Sequence, residues 1–457
     1  MKKRIENLKD GYSEINFTIN LKDLKGDSLK FSIRGEKFFI SLFIYRDDKI
    51  VGSITANRDV ERFMAVDILK SSNGFKNLES GDYRITYLLY KEGEVLLKIE
   101  DEKSPLDAIK EMEIEKDEIK CREEKWYAGD FHTHTFYSDG KLSQEENIEV
   151  AKKRGLSFFS PTDHNFNQTK FPDTDLLIIE GTEITSKFGH VNVFFTNNSI
   201  FEKYSVKGLN TEEWMLEVLK DLKGEIYSIN HPFMDTYEFL VGEYSLEDLK
   251  FMEIINDPTY MTSIDAMEKA LKAWDILLKN GYEVYGIGGS DSHLYPNEKY
   301  ENADYPSLLG DPKTFIHAKN LSKDEIKKAM LAGEISVSRE KLLELKKIGD
   351  SEFVMELEEN TFHGKKLHIE LIVDGEIFKT YEDNLKVNLD LDENYHYVRA
   401  NVRCDDKELY GFTNPHFFNL KKRQKKIKTW KELQDLLWLR QFYLTKMELY
   451  LNFQIFG

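Results

Sequence analysis

Between Trp126 and Glu340, short apolar runs alternate with longer amphipathic segments. This alternation limits the folds open to the chain more than any other feature. The runs LSFFSPTDH, LLIIEGTEIT, HVNVFF, EIYSINHP, FMEIIND, EVYGIGGSDSH, KTFIHA and EISVS read as strands, because they are short and rich in β-branched and aromatic residues. The segments SQEENIEVAKKRGL, TEEWMLEVLKDLKG, SIDAMEKALKAWDILLKNG and SKDEIKKAMLAG read as amphipathic helices. Gly155, Gly224, Gly281 and Gly333 each follow a helix, where a left-handed C′ residue is wanted. Strands alternating with helices predict an α/β fold with a mostly parallel sheet. Seven or eight such units predict a closed β/α barrel with its site at the C-terminal strand ends.

The flanks have other patterns. Residues 1–120 carry alternating runs such as SLKFSI, KFFISLFIY and DYRITYLLY separated by turn residues, which predicts an N-terminal antiparallel β-sandwich-like domain. The barrel is expected over 121–345. Residues 346–418 return to alternation in KLHIELIVDG and YHYVRANVRC and predict a small C-terminal β domain. Residues 419–457 begin with the basic run KKRQKKIK. They are expected to form a basic, helical tail, the run itself being a solvated helix face.

Composition excludes several classes. With 40% hydrophobic and 32% charged residues and only nine prolines, the chain is expected to be globular and not disordered. A formal net charge of −18 repels polyanions, so general binding to nucleic acid or an anionic membrane is not expected. No apolar run reaches the roughly 20 residues of a membrane helix. The N-terminus has no apolar signal core, and two cysteines, Cys121 and Cys404, are too few for a disulfide framework. These features fit a reducing cytoplasm.

The stretch GDFHTHTFYSDG places His132 and His134 two residues apart, so in a strand both imidazoles point to one side. That geometry suits a metal ion, although one such pair is equally at home on a wet edge strand. The rest of the chain decides between these. His132, His134, His164, His190, His231 and His293 all lie at ends of predicted barrel strands, accompanied by Asp139, Asp163, Glu183 and Asp291. Strand ends on one barrel face converge, and so many buried polar groups together need metal to satisfy them. His317, His363, His368, His396 and His416 lack such company and read as structural.

The ordered motifs HTHTFYSDG, TDH, GTEIT, GHVN, NHP and GSDSH resemble those of the PHP (polymerase and histidinol phosphatase) superfamily of metallohydrolases. The close pairing of EGTEIT with GHVNVF resembles its carbaryl-hydrolase-like branch. The resemblance covers residues 126–340. It implies a distorted (β/α)7 barrel holding two or three divalent metal ions, Zn, Mn or Fe. His132 and His134 would bind a first metal with Asp291. Glu183 would bridge it to a second, held also by His190 and His231. Asp139, His164 and His293 would hold a third, and Asp163 would orient a ligand from behind. Some relatives carry histidine where this chain has Asp139, a harder ligand.

Such a cluster implies a metal-dependent hydrolase acting through a metal-activated water, with Glu183, Asp291 and His231 in the machinery. A small phosphorylated substrate, whether phosphomonoester, cyclic phosphate or nucleotide, is the expected partner. Arg339, just beyond the last barrel strand, is the candidate for reaching its phosphate. The scarcity of other arginines in the barrel loops keeps a carbamate, ester or amide substrate open. A metal-stabilised binding scaffold is a third reading.

Overall fold

The computed structural model describes residues 4–9, 11–90, 95–106, 111–113 (backbone only), 117–196 and 198–437. The first hundred residues form two four-stranded antiparallel sheets. One runs Arg4–Leu8, Val95–Glu102, Ser28–Gly35, Val60–Ala65, the other Gly11–Ile19, Gly81–Leu89, Ile40–Arg46, Lys49–Ala56. Alternate residues of both sheets, among them Phe31, Ile33, Leu42, Ile44 and Ile85, share one buried cluster.

The central region contains two five-strand arrays. One orders Leu177–Ile178, Phe158–Pro161, Lys125–Thr133, Lys313–Ala318 and Ile335–Ser338; the other orders Gly181–Ser186, Gly189–Phe194, Ile226–Ile229, Phe251–Asn256 and Tyr285–Gly289. Single bridges, Thr133 to Ser292 and His164 to Glu183, join one array to the other. Four ladders are parallel and four antiparallel. Where a mostly parallel sheet is expected, the pairing is therefore mixed, and helices are few. One cause is local: only Lys187 and Phe188 separate Gly181–Ser186 from Gly189–Phe194. Two residues can make a hairpin but not a crossover helix.

The four expected helices form at Gln144–Lys153, Glu212–Asp221, Ser263–Lys279 and Lys323–Ala332. Ser143 and Glu146 make a reciprocal capping box, and Thr211 and Ser322 cap the second and fourth helices, each cap contributing about 1 kcal/mol. Gly155, Gly224, Gly281 and Gly333 all have positive φ. The Ser263–Lys279 helix buries Met267, Ala270, Leu271, Trp274 and Leu278, the i, i+3, i+4, i+7 stripe that its sequence spells. Each fully buried leucine contributes roughly 1.5–3 kcal/mol.

The sheet containing Ile335–Ser338 does not stop there. It pairs with Leu409–Thr413 and continues through His396–Cys404 to Lys365–Val373. Part of the tail packs on the central region. Arg423 meets Glu283 at 2.7 Å and Lys425 meets Glu247. The basic run therefore follows acidic neighbours without α-helical form, and the expected solvated helix face is not what it becomes. Helix begins at Trp430, which is fully buried; the rest of the expected tail, 438–457, lies outside the described residues. No described helix is long and apolar enough to cross a membrane.

Candidate metal centre

All nine predicted ligands meet at one end of the strands. Four overlapping groups have ligand atoms within 4.8 Å of one another: His134, Asp139, His164 and His293; His132, His231 and Asp291; His132, His134 and Glu183; His164, Glu183 and His190. His132 and His134 come from the end of Lys125–Thr133. Glu183 and His190 are diagonal neighbours across the hairpin, where Glu183 pairs with Asn192 and His190 with Thr185, and their Oε1 and Nδ1 are 3.2 Å apart. His231 follows Ile226–Ile229, and Asp291 and His293 follow Tyr285–Gly289.

Glu183 sits in the middle, fully buried. Its Oε1 lies 3.3 Å from His132 Nε2 and 3.4 Å from His231 Nε2. Its Oε2 lies 2.7 Å from His164 Nδ1 and 3.6 Å from His134 Nε2. Asp291 Oδ1 is 3.0 Å from His134 Nε2 and 3.3 Å from His132 Nε2. Asp139 Oδ1 is 3.2 Å from His293 Nε2 and 3.5 Å from His164 Nε2.

Hydrogen bonds at the back of two rings fix which nitrogen faces inward. His132 Nδ1 donates to Glu253 Oε1 at 2.8 Å, and His293 Nδ1 donates to the Asp291 carbonyl at 2.7 Å. With Nδ1 protonated, a neutral ring turns its Nε2 lone pair toward the carboxylates. Lone pair against carboxylate is repulsive unless a positive charge lies between them. Consistent with that demand, His132 Nε2, His134 Nε2, Asp139 Oδ1 and Glu183 Oε2 are buried without an aligned hydrogen bond, close as they stand to one another's groups. Among the described residues, the ion pairs of Glu183, Asp139, Asp291 and Glu253 are with histidines. The donor set, six imidazoles and three carboxylates with inward orphan atoms, fits divalent metal ions.

The titration behaviour agrees. Burial works against ionising Glu183, but His164, His132 and His190 hold it well below the usual carboxylate range. Burial also opposes charge on Asp291, and His132 and His134 overcome it. Burial, then His293 and His164, press His134 down to about 4, so it is neutral and able to ligate at pH 7. Burial disfavours the His132 imidazolium, yet Asp291, Glu253 and Glu183 lift it well above the ordinary value; a proton there occupies the place a cation wants.

The sequence reading missed several supports. Glu253, inside the strand Phe251–Asn256, holds His132 and accepts from the His231 backbone N–H at 2.9 Å and from Asn256 at 2.9 Å. Its only sequence signal is an acid inside an otherwise apolar strand. Gly289 explains the glycines of GIGGSDSH in part: a Cβ there would lie 2.4 Å from both Glu253 Oε1 and His132 Cβ. Asn230 donates to Glu183 Oε1 at 2.8 Å. Asp130 accepts from the backbone of His132, Ser290 and Gly310, and burial pushes its carboxyl up to about 6. The N-terminal sheets reach the site too. Phe39 stands edge-on to His164 at 5.7 Å, and Asn165 donates to the Tyr90 hydroxyl at 3.1 Å. His231 and Asp291 both have positive φ, 26° and 49°, a conformation that costs free energy in a non-glycine residue.

Asp163 acts at one remove: it accepts from Thr135, Ser138 and Gln168, and Ser138 Oγ also lies 3.5 Å from His134 Nδ1. Arg339 does not join the cluster. It is 1% exposed, with Nε and Nη2 on Asp311 at 2.9 and 2.8 Å, Nη1 on Glu408, and its face on Phe362. A strand-end position looked like the mouth, but the sheet continues past Ile335–Ser338, and its next strand, Leu409–Thr413, follows directly on Glu408. A cavity of about 1090 Å³ likewise takes in none of the nine side chains; it is bounded by Pro258–Met261, Asn302–Tyr305 and the C-terminal strands. Asp257 accepts from Thr259 and Ser307, and burial pushes its carboxyl up to about 7.

Neither family models nor curated proteins match the chain. Among solved structures, it is similar to a two-domain protein from Bacteroides vulgatus containing a predicted PHP-like metal-dependent phosphoesterase, with 18% identity, 65% of this chain and 98% of that one covered, and a TM-score of 0.39. It is also similar to a protein from Bifidobacterium adolescentis provisionally named a metal-dependent phosphoesterase, with 16% identity, coverage of 45% and 95%, and a TM-score of 0.27. A third, an amidohydrolase from Chromobacterium violaceum with bound sulfate, gives 14% identity, 39% and 92% coverage and a TM-score of 0.22. Likenesses this loose do not bear on the reaction.

Proposed function

We propose that this chain is a metal-dependent hydrolase of PHP type, holding two or three divalent ions (Zn, Mn or Fe) and acting on a small phosphoester. The observation that carries this reading is the convergence of nine ligand side chains with four buried, partnerless donor atoms at their centre. His132, His134 and Asp291 form one natural set; His190, His231 and Glu183 a second; Asp139, His164 and His293 a third. Glu183 offers one oxygen to each of two histidine groups, which supports a bridging role. When bound, the ions supply Lewis acidity and an activated water for attack on the electrophile.

The chain's own residues do the rest. Glu253 keeps the His132 proton on Nδ1 and its lone pair inward. Asn230 holds the Glu183 carboxylate in one rotamer by donating to Oε1. Asp130 ties the strand ends that carry His132 and Asp291. The tight hairpin of Glu183 with His190 supports the carbaryl-hydrolase-like branch. One observation favours a second reading: with Arg339 closed by Asp311 and Glu408, the expected phosphate-binding guanidinium is gone, which suits a carbamate, ester or amide. The test is turnover by metal-loaded protein of phosphomonoesters, cyclic phosphates, aryl esters and aryl carbamates. Phosphoester hydrolysis that disappears with chelator and returns with metal is the expected result. Turnover of carbonyl substrates alone would replace the first reading by the second.

A further inference from the structure

The loop after His231 carries an aromatic side chain that metal binding does not require. Tyr237 is 43% exposed, yet its ring stands 5.5 Å from that of His190 and 6.0 Å from that of His231. Burial of its inner part raises the phenol, and Tyr260, Asp291, Asp139 and Glu183 add to the rise. The ring is therefore within electrostatic reach of all three cluster carboxylates while its outer face meets solvent.

The loop is built to keep it there. Thr236, immediately before it, has φ +78°, a conformation that a β-branched residue adopts only when its surroundings impose it. The imposing contacts are present. Met234 N–H donates to His231 O, Tyr237 N–H to Met234 O, Phe239 N–H to Pro232 O and Leu240 N–H to Phe188 O. Phe239 passes so close to Gly189 that a Cβ on that glycine would lie 2.7 Å from Phe239 Cα. From outside, Trp430 stacks on Phe233, meets Phe239 edge-on and donates from Nε1 to the Phe239 carbonyl at 2.9 Å. The tail thus braces the loop that presents Tyr237. Nearby, Tyr260 packs against Tyr300 and also lines the 1090 Å³ cavity.

We propose that Tyr237 is a specificity-determining residue that contacts the non-reacting part of the substrate, selecting a flat aromatic group that leads toward Tyr260 and the cavity. An aromatic ring pairs with another by offset stacking or an edge contact, and both geometries are open to the exposed face of Tyr237. A small alkyl group gains neither. This deepens the hydrolase reading and rests on it for where the reacting atoms sit.

Binding and not turnover tests it, so that the two readings fail separately. Phenylphosphonate, methylphosphonate, benzoate and acetate are titrated by calorimetry into metal-loaded wild type, Tyr237→Ala and Tyr237→Phe, with metal content measured on each. Wild type should prefer the phenyl member of each pair. Tyr237→Ala should lower that preference by about threefold to tenfold, the size of one aromatic contact. Tyr237→Phe should keep it. A wild-type preference near one, or a preference unchanged in Tyr237→Ala, overturns the proposal. So does a fall in metal content that accompanies the loss, since Tyr237 would then be supporting ligands. Intact phenyl preference without hydrolysis of any phosphoester overturns the phosphoesterase reading and leaves Tyr237 its role.

Discussion

Arg339 and Glu183 are both buried carriers of charge, 1% and 0% exposed, yet their surroundings differ in one respect. Around Arg339, three N–H groups meet carboxylate oxygens of Asp311 and Glu408 and an aromatic face covers the plane. Lys365 Nζ also meets Glu408 at 2.7 Å, so two cations answer the two acids within the protein. Around Glu183, Asp139, Asp291 and Glu253 are additional acids, no guanidinium or ammonium among the described residues pairs with them, and imidazole nitrogens are left facing inward without partners. A buried charged group that is closed contributes to structure. One that is left open needs something from solution.

The largest effect expected from this contrast is at Glu183. Glu183→Gln should lower kcat/KM by more than about 100-fold, because the amide loses both the charge and the second acceptor oxygen that would join two sites. Circular dichroism should be unchanged, since the amide keeps the carboxylate's size and the apolar core of the central region is untouched. Near-wild-type turnover at full metal occupancy would show that Glu183 bridges nothing. Arg339→Ala should do the reverse. It leaves Asp311 buried without its counter-charge, Glu408 keeping Lys365, which costs about 3–5 kcal/mol in denaturant unfolding, while metal content stays at the wild-type level. A loss of bound metal in this variant would erase the distinction between the two clusters.

Glu253→Gln sharpens the contrast from behind the ligands. The carboxamide keeps the shape but no longer holds His132 by a charge-assisted bond, and metal affinity in chelator competition should fall by about 10- to 100-fold. The smallest effect is expected at the border, where Asp257 has neutral partners. Its carboxyl is raised to about 7 in the folded chain, above the unfolded value, so the folded state holds the proton more tightly. The contribution to stability is therefore greatest at low pH and is lost as pH rises toward 7. Between pH 5 and 8, metal-free wild type should lose about 2 kcal/mol more stability than metal-free Asp257→Asn. Parallel pH profiles for the two proteins would remove Asp257 from this account.

The helices were legible because each signal is local. Ser143, Thr211 and Ser322 cap the turns that follow them, and Gly155, Gly224, Gly281 and Gly333 take the left-handed conformation. The candidate cluster was legible because histidines and acids fall at the ends of strand-like runs, and the nine side chains meet. The direction of half the ladders was not legible, since pairing partners depend on how distant strands stack; only the two-residue Lys187–Phe188 link announced its hairpin. Glu253 was missed because one acid within a strand gives no hint of which histidine it will stand behind.

What the sequence by itself determined, then, is the identity of the donor atoms and the local elements that carry them. Periodicity, caps and side-chain chemistry act over a few residues and need no knowledge of the rest of the chain. Tertiary structure alone decided which charges stay open. Arg339 is a strand-end arginine by sequence, and only the continuation of its sheet into the C-terminal strands brings up Glu408. Tyr237 is one tyrosine among 23, and only the brace of Trp430 and the hydrogen bonds of its loop set its ring over His190 and His231. Electrostatic pairing and ring contact act over a few ångströms in space, and residues that far apart in the chain become neighbours only when it folds.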